Sequence, residues 1–151
     1  MADDITRHLA DLSAEVVAEN MISWEQVISQ IEKMIQKQSS KYWTITKLDF
    51  IRAVSITQEA RLFRAGLSRV YLTISTAQKR GLGRGDRFLR LIWNDANIPT
   101  IEFCMYGKTS FQSYLLNSFD DPLFLLMPYL KRLWYEGKDR HSTDQSIDET
   151  I

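Results

Sequence analysis

Ile5, Leu9, Leu12 and Val16 recur at three- and four-residue intervals behind Asp3 and Asp4, while Asp11, Glu15 and Glu19 fall on other faces. That spacing predicts a first amphipathic helix. Ser23 and Gln26 then stand at the Ser-x-x-Gln spacing of a capping box, and Trp24, Val27, Ile28, Ile31 and Ile35 form a second apolar stripe, so a second helix is expected to begin there. The short link over residues 19–22 makes these two helices antiparallel neighbours.

The next two segments read both ways. Tyr42, Trp43, Thr44, Ile45 and Thr46 have strand-prone side chains and favour a short strand running into a turn, whereas Thr46 with Asp49 could cap a helix through Phe50, Ile51 and Val54. From Thr57, the apolar residues Ala60, Phe63, Leu67, Val70 and Ile74 step by three and four, which favours a long helix. Lys79, Arg80, Gly81 and Leu82 would form its C-terminal stop. The competing reading makes Val70 to Thr76 a strand, because Val-Tyr-Leu-Thr-Ile-Ser-Thr is rich in β-formers.

Past the Gly83-Arg84-Gly85-Asp86 turn, Phe88, Leu89, Leu91, Ile92 and Trp93 read as a strand. Asn94 to Asn97 reads as a turn and Ile98 to Tyr106 as the partner strand, giving a β-hairpin over Arg87 to Tyr106. Gly107 closes it, and Phe111, Tyr114 and Leu115 begin a helical segment broken near Asn117. Asp121 as N-cap and Pro122 at the first position start a last helix through Leu126, Leu130, Leu133 and Trp134 towards Gly137, with Pro128 bending or shortening it. Residues 138–151 are polar, with almost no apolar anchor, and are expected to form a flexible tail.

The pattern gives an α+β class, mostly helical. Its parts are an N-terminal antiparallel helix pair, a small antiparallel β-sheet around the hairpin, and a C-terminal covering helix. A chain of 151 residues, 44% hydrophobic and 25% charged, fits one globular domain, placed over 1–137 and followed by the tail. The single Cys104 precludes an internal disulfide, and no basic start followed by an apolar run and cleavage site opens the chain, which points to a reducing, cytoplasmic location. The longest apolar run, Pro122 to Leu130, is less than half the ~20 residues of a membrane-spanning helix, so membrane insertion is not expected.

Charge changes the picture. The formal total is zero, yet Lys37 to Arg90 carries twelve Lys and Arg against Asp49, Glu59 and Asp86, about +9, while the flanks come to about −5 and −4. The densest part is Lys79 to Arg87, where cations and glycines meet at an expected helix–strand junction, a combination that suits contact with an anion. The leading expectation is therefore a non-enzymatic binding protein whose basic centre meets an acidic macromolecule, a nucleic acid ahead of an acidic protein. Arg61, Arg64, Lys79, Arg80, Arg84 and Arg87 would be its contact cations. Arg61, Arg64 and Ser68 share one face of the expected long helix, and Tyr42 and Trp43 could stack on bases, although packing in the core is the commoner use of such residues.

An alternative is a protein–protein interaction or inhibitor module that docks through its acidic N-terminal helices or its apolar C-terminal helix. Leu123 to Met127 are consecutive apolar residues that cannot all enter one stripe, which makes Phe124, Met127, Tyr129 and Trp134 a candidate interface for a homo- or hetero-oligomer. A further alternative is a metal-dependent nuclease built on Asp86, Asp95 and Glu102, incomplete because Cys104 stands where a lysine would be wanted. His8 and His141 lie far from any Cys, Asp or Glu cluster, and Cys104 reads as a buried core thiol, so no cofactor, metal site or catalytic residue is expected.

Overall fold

The computed structural model describes residues 2–68, 70–76, 86–93, 99–105, 112–115, 124 and 126–136. It has an α+β architecture with more helix than strand. The helices are α1 (Ala2–Ala10), α2 (Ala14–Gln36) and α3 (Ile45–Ser55), followed by a 3-10 turn (Glu59–Leu62). The strands are β1 (Arg64–Ser68), β2 (Tyr71–Ser75), β3 (Arg87–Ile92), β4 (Thr100–Met105) and β5 (Gln112–Leu115). A C-terminal helix, α4, covers 126–136. All strands pair antiparallel with their sequence neighbours in the order β1-β2-β3-β4-β5.

The junction of the two N-terminal helices falls at 11–13, not at 19–22. Ser13 caps α2, its hydroxyl accepting from the Val16 N–H at 3.2 Å. Ser23 cannot cap, because its hydroxyl donates to the Asn20 carbonyl at 2.5 Å and accepts from the Ala65 N–H at 2.9 Å. Helix α2 therefore runs unbroken past residue 23 until Gln38 takes a left-handed φ of 52° and the Ser39 N–H closes on the Met34 carbonyl.

Residues 45–55 form a helix in place of the expected short strand. Its cap is Thr44 rather than Thr46, the hydroxyl accepting from the Lys47 N–H at 3.4 Å, and Leu48, Ile51 and Val54 then turn into the core at helical spacing. Just upstream, Trp43 is buried with its ring 6.0 Å from that of Trp93. The Tyr42 hydroxyl accepts from the Trp93 N–H at 2.9 Å, which ties the α2–α3 connection to the end of β3.

The long helix expected from Thr57 to Ile74 is replaced by the 3-10 turn and the β1–β2 hairpin, and the reason is a set of side chains on α2. The Trp24 indole N–H donates to the carbonyls of Ala60 and Phe63, each at 3.1 Å. The Asn20 amide donates to the Arg61 carbonyl at 2.9 Å, and Ser23 takes the Ala65 N–H. Three carbonyls and one amide that a helix would pair internally are thus held by α2, and the chain leaves the turn extended. From there Ala65, Leu72 and Ile74 enter the apolar core at alternate positions, so the strand reading of Val70 to Thr76 is the one the structure follows over Tyr71–Ser75.

The β3–β4 hairpin is as expected, in register from Arg87↔Met105 to Ile92↔Thr100. Strand β5 replaces the expected helical segment at 112–115, where the free edge of β4 offers a ladder from Thr100↔Leu115 to Phe103↔Gln112. Leu126, Leu130, Leu133 and Trp134 are buried along one face of α4, as their spacing implies, and Pro128 sits inside the helix on its exposed side. Expectations for Gly81, the 94–97 turn, Gly107, the Asp121-Pro122 cap, Gly137 and the 138–151 tail lie outside the described residues.

The helices share one face of the sheet. Ala65, Leu72, Ile74, Leu89, Leu91, Ile101 and Phe103 meet them there, with Trp134 edge-on to Phe63 at 6.4 Å and the Arg132 guanidinium 4.2 Å over the Phe103 ring. The register places Thr73, Arg90 and Glu102 in one row across the opposite face. No helix among the described residues is long and apolar enough to cross a membrane.

Gly66, facing Thr73, has a packing reason: a Cβ there would meet the Thr73 hydroxyl oxygen at 2.6 Å. Gly66→Ala is expected to destabilise the protein by about 1–3 kcal/mol in urea titration, and adding Thr73→Ala should recover most of that loss.

Candidate functional site

The basic residues do not gather on one helix face. Arg61 and Arg64 lie on different elements, the 3-10 turn and β1, because the expected helix carrying both with Ser68 does not form. Arg64 stands opposite Ser75 on the sheet face away from the helices. Arg87 falls on the other face by register, and its guanidinium pairs with the Glu136 carboxylate of α4. Lys79, Arg80 and Arg84 lie outside the described residues.

Three other cations of the central stretch are held within the chain. Arg52 bonds Glu32 at 2.6 Å, with Asp49 at 3.6 Å. Arg90 bonds Glu102 at 2.5 Å and lies 4.9 Å over the Tyr71 ring, and the hydrogen bond it donates to the Glu102 carboxylate raises the Arg90 pKa above its ordinary value. Lys47 donates to the Tyr42 carbonyl at 2.6 Å and covers the Tyr42 ring at 3.7 Å, with its pKa lowered by burial. Tyr42 and Trp43 therefore serve packing, Tyr42 with its phenol pKa raised by burial against the opposing effect of the Trp93 N–H.

The carboxylates of the nuclease reading are also dispersed. Glu102 is buried on β4 and held by Arg90, Asp86 precedes β3, and Asp95 lies outside the described residues. Among the described residues no three His, Cys, Asp or Glu side chains converge as a metal site would require. His8 packs its ring 5.1 Å from that of Trp134 and 5.5 Å from that of Tyr135. Phe124, just before α4, is 74% exposed; on α4, Met127 and Tyr129 are half-buried against the core, and Trp134 is buried. Phe124 is the most exposed of the four.

The site that does form was not marked by any local motif. A groove of about 420 Å³ opens between α2 and the turn joining α3 to the 3-10 segment, within the volume range of small binding pockets. Met21, Trp24, Glu25 and Ile28 supply the α2 wall, at the spacing that keeps them on one helix face, and Ser55, Ile56, Ala60 and Arg61 supply the other. Trp24 and Ala60 are buried and form the floor. Thr57 shapes the turn: its hydroxyl donates to the Val54 carbonyl at 2.7 Å and accepts from the Ala60 N–H at 3.3 Å. That turn holds Ile56, the C-cap of α3, 85% exposed at the groove mouth, where Met21 is 42% exposed. At the mouth Glu25 and the Arg61 guanidinium have no ion-pair partner among the described residues, in contrast to the paired arginines above. The signal in the sequence was oblique: Asn20 and Ser23, polar positions beside the apolar stripe of α2, marked where that helix grips another segment.

Compared with models of known protein families, with curated proteins and with solved structures, the chain matches none.

Cys104 is free and buried, and burial pushes its thiol pKa up to about 11, with Arg90 lowering it and Glu102 adding to the rise. Roughly one thiol in a thousand is then ionised at pH 8. Alkylation by iodoacetamide at pH 8, followed by mass spectrometry, is expected to be at least tenfold slower in the native protein than in the urea-unfolded chain. Because the folded thiol holds its proton more tightly than the unfolded one, its contribution to stability is present at neutral pH. It should be lost as the pH rises from about 9 towards 11.

Proposed function

We propose that this chain is a non-enzymatic protein-interaction module that docks a partner protein through the groove between α2 and the α3–3-10 turn. The observation that carries this reading is Ile56, a large aliphatic side chain 85% exposed at the mouth of an apolar depression floored by Trp24 and Ala60. Scattered exposed apolar residues are ordinary, but aliphatic residues flanking a concave apolar floor are what an interface core looks like before its partner arrives. The reading keeps the docking role on the N-terminal helices, through the flank of α2, and gives no part to Trp134, which the core has taken. It competes with an acidic partner bound by the basic centre, a reading weakened by Arg87 and Arg90 being engaged with Glu136 and Glu102. The partner is taken to be cytoplasmic, since the one cysteine is a free thiol that needs no oxidising compartment.

The test is purification of the full chain with its partner from the native host, followed by light scattering. A stoichiometric complex is expected, and Ile56→Asp should dissolve it while lowering stability by no more than about 1 kcal/mol, the cost of a carboxylate at the C-terminal end of α3. A complex that survives Ile56→Asp but falls apart steeply with added salt would refute groove docking and favour the basic centre.

A further inference from the structure

We infer that the occupant of the groove is an amphipathic helix of the partner, carrying a cation that meets Glu25 and a carboxylate that meets Arg61. The inference rests on the groove reading above and adds the chemistry of what enters it.

The backbone of the groove wall decides between a helix and an extended peptide. An extended segment binds by main-chain hydrogen bonds to a row of alternating unpaired donors and acceptors, and this wall presents no such row among the described residues. The Val54 carbonyl accepts from the Thr57 hydroxyl and N–H, and the Ala60 carbonyl from the Trp24 indole and the Phe63 N–H. The Arg61 carbonyl accepts from Asn20, and the Ile56, Ala60 and Arg61 N–H groups reach Arg52, Thr57 and Gln58. What remains on offer is side-chain surface and the Ser55 and Ile56 carbonyls at the end of α3, two acceptors with no free donor between them. A helix satisfies its own backbone and presents side chains at i, i+3, i+4 and i+7, which suits a depression bounded by one helix and the end of another.

The charges orient it. Glu25 belongs to the α2 wall and Arg61 to the opposite wall, so the mouth is a dipole across the groove. Both charges stay hydrated until a partner covers them, and covering either without a counter-charge is costly. A matching pair on the ligand helix, one charge on each side of its apolar stripe, removes that cost and fixes which way the helix lies.

The test uses a phage-displayed library of Ala/Gln-based 18-residue helices with one face randomised, selected on the immobilised full chain and counter-selected on the Ile56→Asp variant. Selected peptides are expected to share aliphatic or aromatic residues at i, i+4 and i+7 with Lys or Arg on one flank and Asp or Glu on the other. In fluorescence anisotropy, the variant combining Glu25→Lys with Arg61→Glu should bind them roughly three- to tenfold more weakly. A peptide with its two flanking charges exchanged should restore the affinity on that variant. Groove-binding peptides without the charge pattern, or without response to the swap, overturn this inference and leave the docking groove standing. A selection in which no peptide distinguishes the Ile56→Asp variant from the parent overturns both.

Discussion

Three side chains of α2 decide where the chain turns. Asn20, Ser23 and Trp24 lie on the flank of α2 that faces the 60–65 segment, and between them they hold the carbonyls of Ala60, Arg61 and Phe63 and the N–H of Ala65. Each of these groups sits beside the core, where an unpaired backbone group costs about 1–3 kcal/mol. With the clamp in place the 3-10 turn has no reason to continue as a helix, and β1 starts against α2 with Ala65 pointing inwards. The same Trp24 that anchors the turn floors the groove on its solvent side, so the fold and the candidate site have a common origin.

The parts of the fold that were legible in the sequence are those whose information is local. The β3–β4 hairpin carries its own alternation and turn residues, and the α4 stripe of Leu126, Leu130, Leu133 and Trp134 needs nothing else to be read. The segment after Thr57 misled because its apolar residues satisfy a helical period by coincidence: Ala60 and Phe63 are buried in a turn, and Ile74 is buried from a strand. Only α2, more than thirty residues upstream, selects between the two states. Residues 112–115 were misread for a similar reason, since an edge strand is specified by the strand it joins. The groove was hidden because its walls come from residues 21–28 and 55–61, brought together by the clamp.

The acid–base–acid layout of the sequence acquires a structural meaning. Acids from the flanks supply the partners of cations from the middle: Glu32 of α2 for Arg52, Glu102 of β4 for Arg90, and Glu136 of α4 for Arg87. In these three pairs, charges that lie in different blocks of the sequence are brought together by the fold. The Arg90–Glu102 pair, with side chains 24% and 9% exposed, is the most shielded of these and would be the least tolerant of losing one member. Arg61 and Glu25, on the two walls of the groove, are in no such pair among the described residues.

The clamp is tested most directly by urea unfolding of the Ser23→Ala, Trp24→Phe double variant, which keeps an aromatic ring at the groove floor but removes three of the four hydrogen bonds to the 60–65 segment. The account predicts a loss of about 2–4 kcal/mol, with the Ala65 amide among those whose exchange accelerates most. A loss below about 0.5 kcal/mol, with Ala65 protection unchanged, would mean that the turn is fixed by something else.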